Sequence, residues 1–123
     1  MNKEYILMCR EAKEIQDLWD TAPGSKYYHE RFGYGHVNYE FATDQSEYIW
    51  LPQQEDLQNI IREETRLSEF TIFQDFAGLK YTPDEWSKFI DHFSFRTYWL
   101  LFTMETCFNK TWNWETKKWE AIP

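Results

Sequence analysis

The sequence contains three histidines, a residue type that can bind a metal ion or transfer a proton. His29 and His36 flank a glycine-containing turn at 33–35, so a hairpin there would bring two imidazoles together as metal ligands. No cysteine or acid stands beside them at the spacing of a zinc site, and histidines on exposed strands are common. His92 follows Asp91, but no serine or cysteine nucleophile stands at a recognisable spacing. We therefore predict neither a metal site nor a catalytic triad.

Two acidic patterns suggest other chemistry. Asp84, followed much later by Glu115-Thr116-Lys117, is similar to the signature of metal-dependent nucleases, an Asp and then Glu-x-Lys. Those enzymes hold their carboxylates on adjacent strands so that both bind one divalent cation. Here Asp84 is expected at a helix start and Glu115 in a hairpin turn. Glu105 interrupts an apolar helix, but such an acid more often lies at the rim of the core or pairs with a cation. We predict that the protein is not an enzyme and binds no cofactor.

The segment from 82 to 108 contains the elements around which the rest of the chain is expected to pack. Thr82-Pro83-Asp84-Glu85 is typical of a helix start, because Thr82 can cap free N–H groups and the acids favour the positive end of the helix dipole. The run from 95 to 108 is apolar at nine of its fourteen positions and leaves no wide polar face on a helical wheel. Such a helix must be covered by other elements, so we predict the central helix here.

Elsewhere the chain changes between helical and strand periodicity. Apolar residues in steps of three and four predict an amphipathic helix over 2–20, and strict alternation predicts strands after it. The segment 66–79 fits a helix, although 70–73 also suits a strand. The predicted elements are helix 2–20, strands 26–32, 36–41 and 48–51 with a turn at 33–35, helices 52–64, 66–79, 82–93 and 95–108, and a hairpin at 111–120.

These elements predict an α+β fold in a single domain, 1–123. It comprises an N-terminal helix, a three-stranded antiparallel meander and a C-terminal helical bundle with a small terminal hairpin. Ten Phe, eight Tyr and seven Trp residues can fill its core. Cys9 and Cys107 fall among apolar residues on predicted helices, so each is expected to be a small buried hydrophobe.

The ends and the apolar runs of the chain bear on its location. The N-terminal residues lack the apolar run of a signal peptide. The apolar run at 97–104 is much shorter than the roughly 20 residues that a membrane-spanning helix needs. We therefore expect a cytoplasmic protein with no membrane partner.

The net charge of −8 is concentrated in the segment from 53 to 79, which holds six acidic and two basic residues. Direct binding to nucleic acid is disfavoured, because that affinity comes mainly from cations on phosphates. A protein partner with a basic surface is a better match for a group of acids on or near one helix. These acids are Glu55, Asp56, Glu63, Glu64, Glu69 and Asp75. The simpler alternative is a solvated face that keeps an aromatic-rich protein in solution.

Trp112, Trp114 and Trp119 form a second candidate surface. Their spacing around a short turn places the indoles on one side of a hairpin. If they are exposed, they would be anchors for a partner, since large aromatic side chains dominate the binding energy of many interfaces. The alternative is that they pack on the protein's own core.

Two blocks of the sequence resemble small uncharacterised proteins encoded by bacterial viruses and prophages. One is the pattern Cys-x-x-Ala-x-Glu-Ile-Gln-x-x-Trp that begins at Cys9, and the other is Trp-Leu-Pro-x-Gln-x-x-Leu-Gln, which begins at Trp50. Those proteins tend to finish with a segment similar to 102–113 and a terminal tryptophan hairpin. Gln53 stands where the family commonly has a basic residue. The resemblance implies a viral or prophage origin and carries no biochemical role.

The leading hypothesis is a non-enzymatic phage or prophage protein-interaction module in the cytoplasm of a bacterial host. In its sharpest form it is an inhibitor of a host defence protein that acts through the acidic face. The alternative, from a different class, is a protein that binds a small nucleotide-type ligand in an aromatic pocket between the sheet and the helices. Charge reversal in the acidic face would abolish a protein partnership and leave pocket binding nearly intact.

Overall fold

A computed structural model describes residues 3–38, 47–68, 71–72, 74–75 and 95–123. It confirms a mixed α+β fold with an N-terminal helix, a three-stranded antiparallel sheet and a C-terminal helix. The helix predicted over 82–93 lies outside the described residues. Of the segment 66–79, the described residues 71, 72, 74 and 75 are helical, as predicted. Residues 66–68 are not helical, because Arg66 ends the preceding helix with a left-handed φ of 58°, so the helix predicted from 66 starts too early.

The N-terminal helix is present but divided. α1 (Lys3–Glu11) and α2 (Lys13–Gln16) are separated at Ala12, where a ψ of 73° interrupts the helical path. The predicted apolar stripe nevertheless faces the core. Its five members, Tyr5, Met8, Ala12, Ile15 and Trp19, are all buried.

The side chain of Gln16 joins this divided helix to the sheet. Its Nε2 donates hydrogen bonds to the carbonyl oxygens of Cys9, at 3.1 Å, and Trp50, at 2.9 Å. Its Oε1 accepts a hydrogen bond from the backbone N–H of Trp50, at 2.9 Å. The amide group thus bonds both backbone groups of Trp50, as a neighbouring strand would, and covers an edge of the sheet.

The sheet consists of β1 (Lys26–His29), β2 (Gly33–His36) and β3 (Tyr48–Trp50), all antiparallel to their neighbours. Their order is β2-β1-β3, so the first strand lies in the centre. The predicted meander is therefore wrong in its strand order, because a meander would place the second strand there. Alternation along a strand determines which side chains share a face and does not determine which strand lies beside it.

The turn between β1 and β2 lies at 30–32, not at the predicted 33–35. The Nδ1 atom of His29 closes it by accepting hydrogen bonds from the backbone N–H groups of Arg31, at 3.0 Å, and Phe32, at 3.2 Å. Gly33 then begins β2 with a φ of 75°. Gly35 lies within β2, where a Cβ atom would overlap the hydroxyl group of Tyr27. Gly33 therefore supplies the left-handed backbone conformation that begins β2, and Gly35, which has no Cβ atom, leaves room for the Tyr27 ring. The second strand, predicted over 36–41, lies instead at Gly33–His36, and residues 37 and 38 belong to no strand. Residues 39–41 lie outside the described part.

Two longer helices provide much of the core. α3 (Gln54–Thr65) confirms the helix predicted after the third strand, and its start is capped where the Asp56 carboxylate accepts a hydrogen bond from the Gln53 N–H at 2.8 Å. α4 (Phe95–Phe108) confirms the central helix, since every residue from 97 to 104 is buried. The two helices pack against each other.

The predicted terminal hairpin is confirmed as β4 (Lys110–Asn113) and β5 (Lys118–Ala121). Trp112 and Trp119 lie opposite each other, with ring centroids 5.1 Å apart. The Nε1 of Trp119 donates a hydrogen bond to the carbonyl oxygen of Met8 at 2.9 Å. The Lys117 ammonium group lies 2.9 Å from the Glu4 carboxylate. Both contacts hold the hairpin against α1.

Candidate functional site

A cleft of about 450 Å³ opens between the loop that follows α2 and the outer side of α3. Its apolar surface comes from Leu18, Trp50 and Ile60. Four carboxylates surround this surface. They belong to Asp20, Glu55, Asp56 and Glu63. We call this site the acidic cleft.

The four carboxylates differ in their local partners. Asp20 accepts a hydrogen bond from the Ala22 N–H at 2.9 Å. The Asp56 carboxylate caps α3 by accepting a hydrogen bond from the Gln53 N–H. Glu55 and Glu63 are exposed and form no ion pair with any described residue. Among the described residues that line the cleft there is no lysine, arginine or histidine. The cleft therefore carries net negative charge and leaves two carboxylates open to an incoming cation.

The structure brings together only part of the predicted acidic face. Glu55, Asp56 and Glu63 line the cleft, whereas Glu64 is exposed on the same helix without lining it. Asp75 is exposed elsewhere, and Glu69 lies outside the described residues. Sequence reasoning missed Asp20, because no local pattern shows that the loop after α2 lies beside α3.

Most of the predicted tryptophan surface is buried against the protein's own core. Trp112 is 4% exposed, and its Nε1 donates a hydrogen bond to Glu4 Oε1 at 3.3 Å. Trp114 and Trp119 are half-buried and pack against the core cluster. These contacts favour the packing alternative: Trp112 lacks the exposure that a partner-binding anchor needs, and Trp119 is held by Met8.

A second cleft, of about 460 Å³, lies at the end of the sheet where β1 turns into β2. It is lined by Arg10, His29, Glu30, Arg31, Glu47 and Ile49, and we call it the histidine cleft. His29 is 7% exposed, and its ring lies between those of Phe32 and Tyr48, with centroid distances of 4.7 Å to each. His36, on β2, is not beside it, because His36 pairs with Lys26 at the opposite end of the two strands. The two imidazoles are therefore not arranged as a pair of metal ligands.

The cysteine thiols are poorly suited to nucleophilic chemistry. Burial raises the pKa of Cys9 to about 12. Burial, followed by the nearby negative charge of Glu64, raises the pKa of Cys107 to about 12. Both cysteines are free, and both thiols stay protonated near neutral pH. Cys9 is fully buried as predicted, while Cys107 is half-buried.

The remaining catalytic candidates that the structure describes are not assembled into a site. Glu115 lies in the turn of the terminal hairpin, where its backbone N–H donates to the Asn113 side chain at 2.9 Å. Asp84 and His92 lie outside the described residues. Glu105 is half-buried on α4, and burial followed by the Glu105 charge raises the pKa of Tyr98. Within the described stretches, no group of three His, Cys, Asp or Glu side chains is placed to hold a metal ion.

In the part of the chain that the structure describes, no helix is both long enough and apolar enough to cross a membrane. Comparison with models of known protein families, with characterised proteins and with solved structures finds no match for this chain. The resemblance to phage and prophage proteins therefore stays a prediction.

Proposed function

We propose that this protein is a non-enzymatic interaction module whose acidic cleft binds a basic segment of a partner protein. The observation that carries the proposal is the composition of the cleft: four carboxylates around an apolar surface, with no cation among the described residues that line it. A concave site of this kind can select a particular side chain, which a uniformly charged convex face cannot do as well.

The chemistry of the cleft matches a lysine or arginine side chain. The aliphatic part of such a side chain can lie on the exposed side chain of Leu18 while its charged end reaches Glu55 and Glu63. Because both glutamates are exposed, the attraction is screened by salt and acts over roughly 10 Å at 0.1 M ionic strength. Charge complementarity of this type contributes to the rate and specificity of association.

The partner's identity is the finer part of the proposal. Following the resemblance of the two sequence blocks, we propose that the chain is encoded by a phage or prophage and acts in the cytoplasm of a bacterial host. A host or viral protein with a basic surface is then the partner, and inhibition of a host defence protein is the sharpest form of this function. Binding of nucleic acid is not part of the proposal, because the cleft would repel phosphates.

The test is affinity capture of the tagged protein from host lysate, with the retained proteins identified by mass spectrometry at low and high salt. We expect one basic protein to be retained at low salt and released at high salt. A double variant, Glu55→Lys with Glu63→Lys, is expected to weaken binding of that purified protein by about tenfold or more.

The matched control for the single variant Glu63→Lys is Glu64→Lys, because both residues are exposed on α3 and of the two only Glu63 lines the cleft. Equal losses for these two single variants would contradict a role for the cleft. Asp56 is unsuitable for this test, since its carboxylate caps α3. A capture that retains nothing would direct attention to the small-ligand alternative and a thermal-shift screen of nucleotides. No described feature favours that alternative, because the aromatic rings of Tyr5, Trp50 and Trp99 are buried in the core.

A further inference from the structure

The hydrogen bonds of His29 determine which of its ring nitrogens carries a proton. Nδ1 accepts two backbone N–H groups, from Arg31 and Phe32, so it must present its lone pair to them. The neutral ring therefore carries its proton on Nε2. The side chain is 8% exposed and is held between two aromatic rings, so this donor has a defined position on the wall of the histidine cleft.

The Glu47 carboxylate, which faces the Nε2–H donor of His29, is held loosely. The Glu47 carboxylate lies 3.5 Å from His29 Nε2, which is longer than a strong hydrogen bond to a carboxylate. The Glu47 side chain is 74% exposed. An exposed side chain at this distance can leave with little loss of energy and open the Nε2–H group to another acceptor.

Two guanidinium groups line the same cleft. Arg10 is half-exposed, and its ion pairs with described residues are long, 3.8 Å to Glu11 and 3.7 Å to Glu30. Arg31 lies over the Phe32 ring at 5.7 Å and forms no ion pair within the described stretches. The planar donor fork of arginine matches the oxygen atoms of a carboxylate or phosphate.

We propose that the histidine cleft is an oxyanion-binding site for a carboxylate or phosphate group. The Nε2–H of His29 and the guanidinium groups of Arg10 and Arg31 are the donors. The Glu47 carboxylate is an internal competitor that occupies the donor until a ligand displaces it. The Glu30 and Glu47 carboxylates line the same cleft and balance the formal charge of the two arginines, so the hydrogen-bond donors, and not a net positive charge, select the ligand. This site is distinct in residues and charge from the acidic cleft, and its occupancy is independent of the proposed protein partnership.

The test is an NMR titration of the whole chain with sodium phosphate and, separately, sodium acetate, each at constant ionic strength and about pH 7. The His29 Nε2–H signal and the backbone amides of Arg31 and Phe32 are expected to shift. Removal of the competitor in Glu47→Gln is expected to tighten binding, by about threefold to tenfold. A gain larger than that of Glu30→Gln, which removes the same negative charge from the same cleft but not the carboxylate that faces His29 Nε2, distinguishes a displaced carboxylate from general attraction between charges.

Two variants are expected to weaken binding, by about tenfold each. Arg31→Gln removes a guanidinium donor. His29→Asn removes the Nε2 donor while offering a side-chain oxygen near the position of Nδ1 for the turn. The control Arg66→Gln removes the same positive charge from an exposed residue outside the cleft and is expected to leave binding unchanged.

The outcomes distinguish the possible ligand classes and also test the proposal itself. Shifts with both anions support a general oxyanion site, and shifts with phosphate alone support a phosphate ester as the ligand class. Absence of shifts in both the wild type and Glu47→Gln would overturn the proposal. Equal weakening by Arg31→Gln and Arg66→Gln would also overturn it. If His29→Asn fails to fold, Arg31→Gln and Glu47→Gln still decide the question.

Discussion

Gln16 replaces a strand at one edge of the sheet. Its amide group bonds the N–H and the carbonyl of Trp50 and also the carbonyl of Cys9, so one side chain satisfies three backbone groups. Buried backbone groups that lose their partners cost free energy comparable to a lost hydrogen bond. Gln16 is therefore expected to contribute more to stability than its partial exposure suggests.

We expect Gln16→Ala to lower the free energy of unfolding by about 2–3 kcal/mol, because the backbone groups of Trp50 lose their partner in a partly buried place. Chemical denaturation followed by fluorescence measures this change. Gln58→Ala is the matched control, since Gln58 is a half-buried glutamine of α3 with no observed side-chain hydrogen bond among the described residues. A loss no larger than that of the control would show that the amide contacts are unimportant.

The terminal hairpin depends on contacts with the N-terminal helices. Lys110 of β4 forms an ion pair with Glu14 of α2, and Lys117 of the turn pairs with Glu4 of α1. Partial burial raises the pKa of Glu14, but the hydrogen bond and positive charge of Lys110 outweigh it, so the pKa is lowered below 4.5 overall. The folded state therefore favours the ionised form of Glu14 more than the unfolded state does.

From this shift follows a pH dependence with a definite sign. A lowered folded-state pKa stabilises the fold above the unfolded value near 4.5, and the stabilisation is lost as the pH falls through the folded value. We expect Glu14→Gln to lower the free energy of unfolding by about 0.5–1 kcal/mol near neutral pH, with the difference vanishing well below 4.5. Urea denaturation of both proteins across this range measures it. Glu115→Gln, in an exposed turn, should show neither effect, and a deficit for Glu14→Gln that persists in acid would contradict the assignment.

Across the whole molecule the acidic residues are not evenly distributed. Net charge is −8, and four acids meet in one cleft without a cation among its described lining residues. Like charges in proximity destabilise the folded state through repulsion. A site that attracts a basic partner is therefore expected to reduce the stability of the protein alone.

Neutralising one of the cleft carboxylates should remove part of the repulsion that destabilises the folded state. We expect Glu63→Gln to raise the midpoint of thermal unfolding by about 1–3 °C at low salt, and less at high salt because screening already weakens the repulsion. Differential scanning fluorimetry at several salt concentrations measures the change. Glu64→Gln controls for the dipole of α3, since it removes an adjacent charge from the same end of the helix outside the cleft. An equal rise for both variants would attribute the gain to the dipole alone.

The sequence by itself determined the elements that depend on local periodicity. The stripe of Tyr5, Met8 and Ile15 indicated the buried face of the first helix, and the nearly all-apolar run predicted α4 as the central helix. Trp112 and Trp119 indicated the terminal hairpin. These features follow from spacing along a few consecutive turns or residues, so no information about distant parts of the chain is needed.

Only the tertiary structure decided which of these elements are neighbours and which side chains meet. It placed β1 at the centre of the sheet, joined Gln16 to Trp50, and brought Asp20 to the same cleft as Glu63. It also showed that His29 closes a turn with one nitrogen and faces a cleft with the other. Each of these depends on residues far apart in sequence or on the direction of one side chain. Local periodicity specifies neither, because it records the spacing of apolar residues and not their partners.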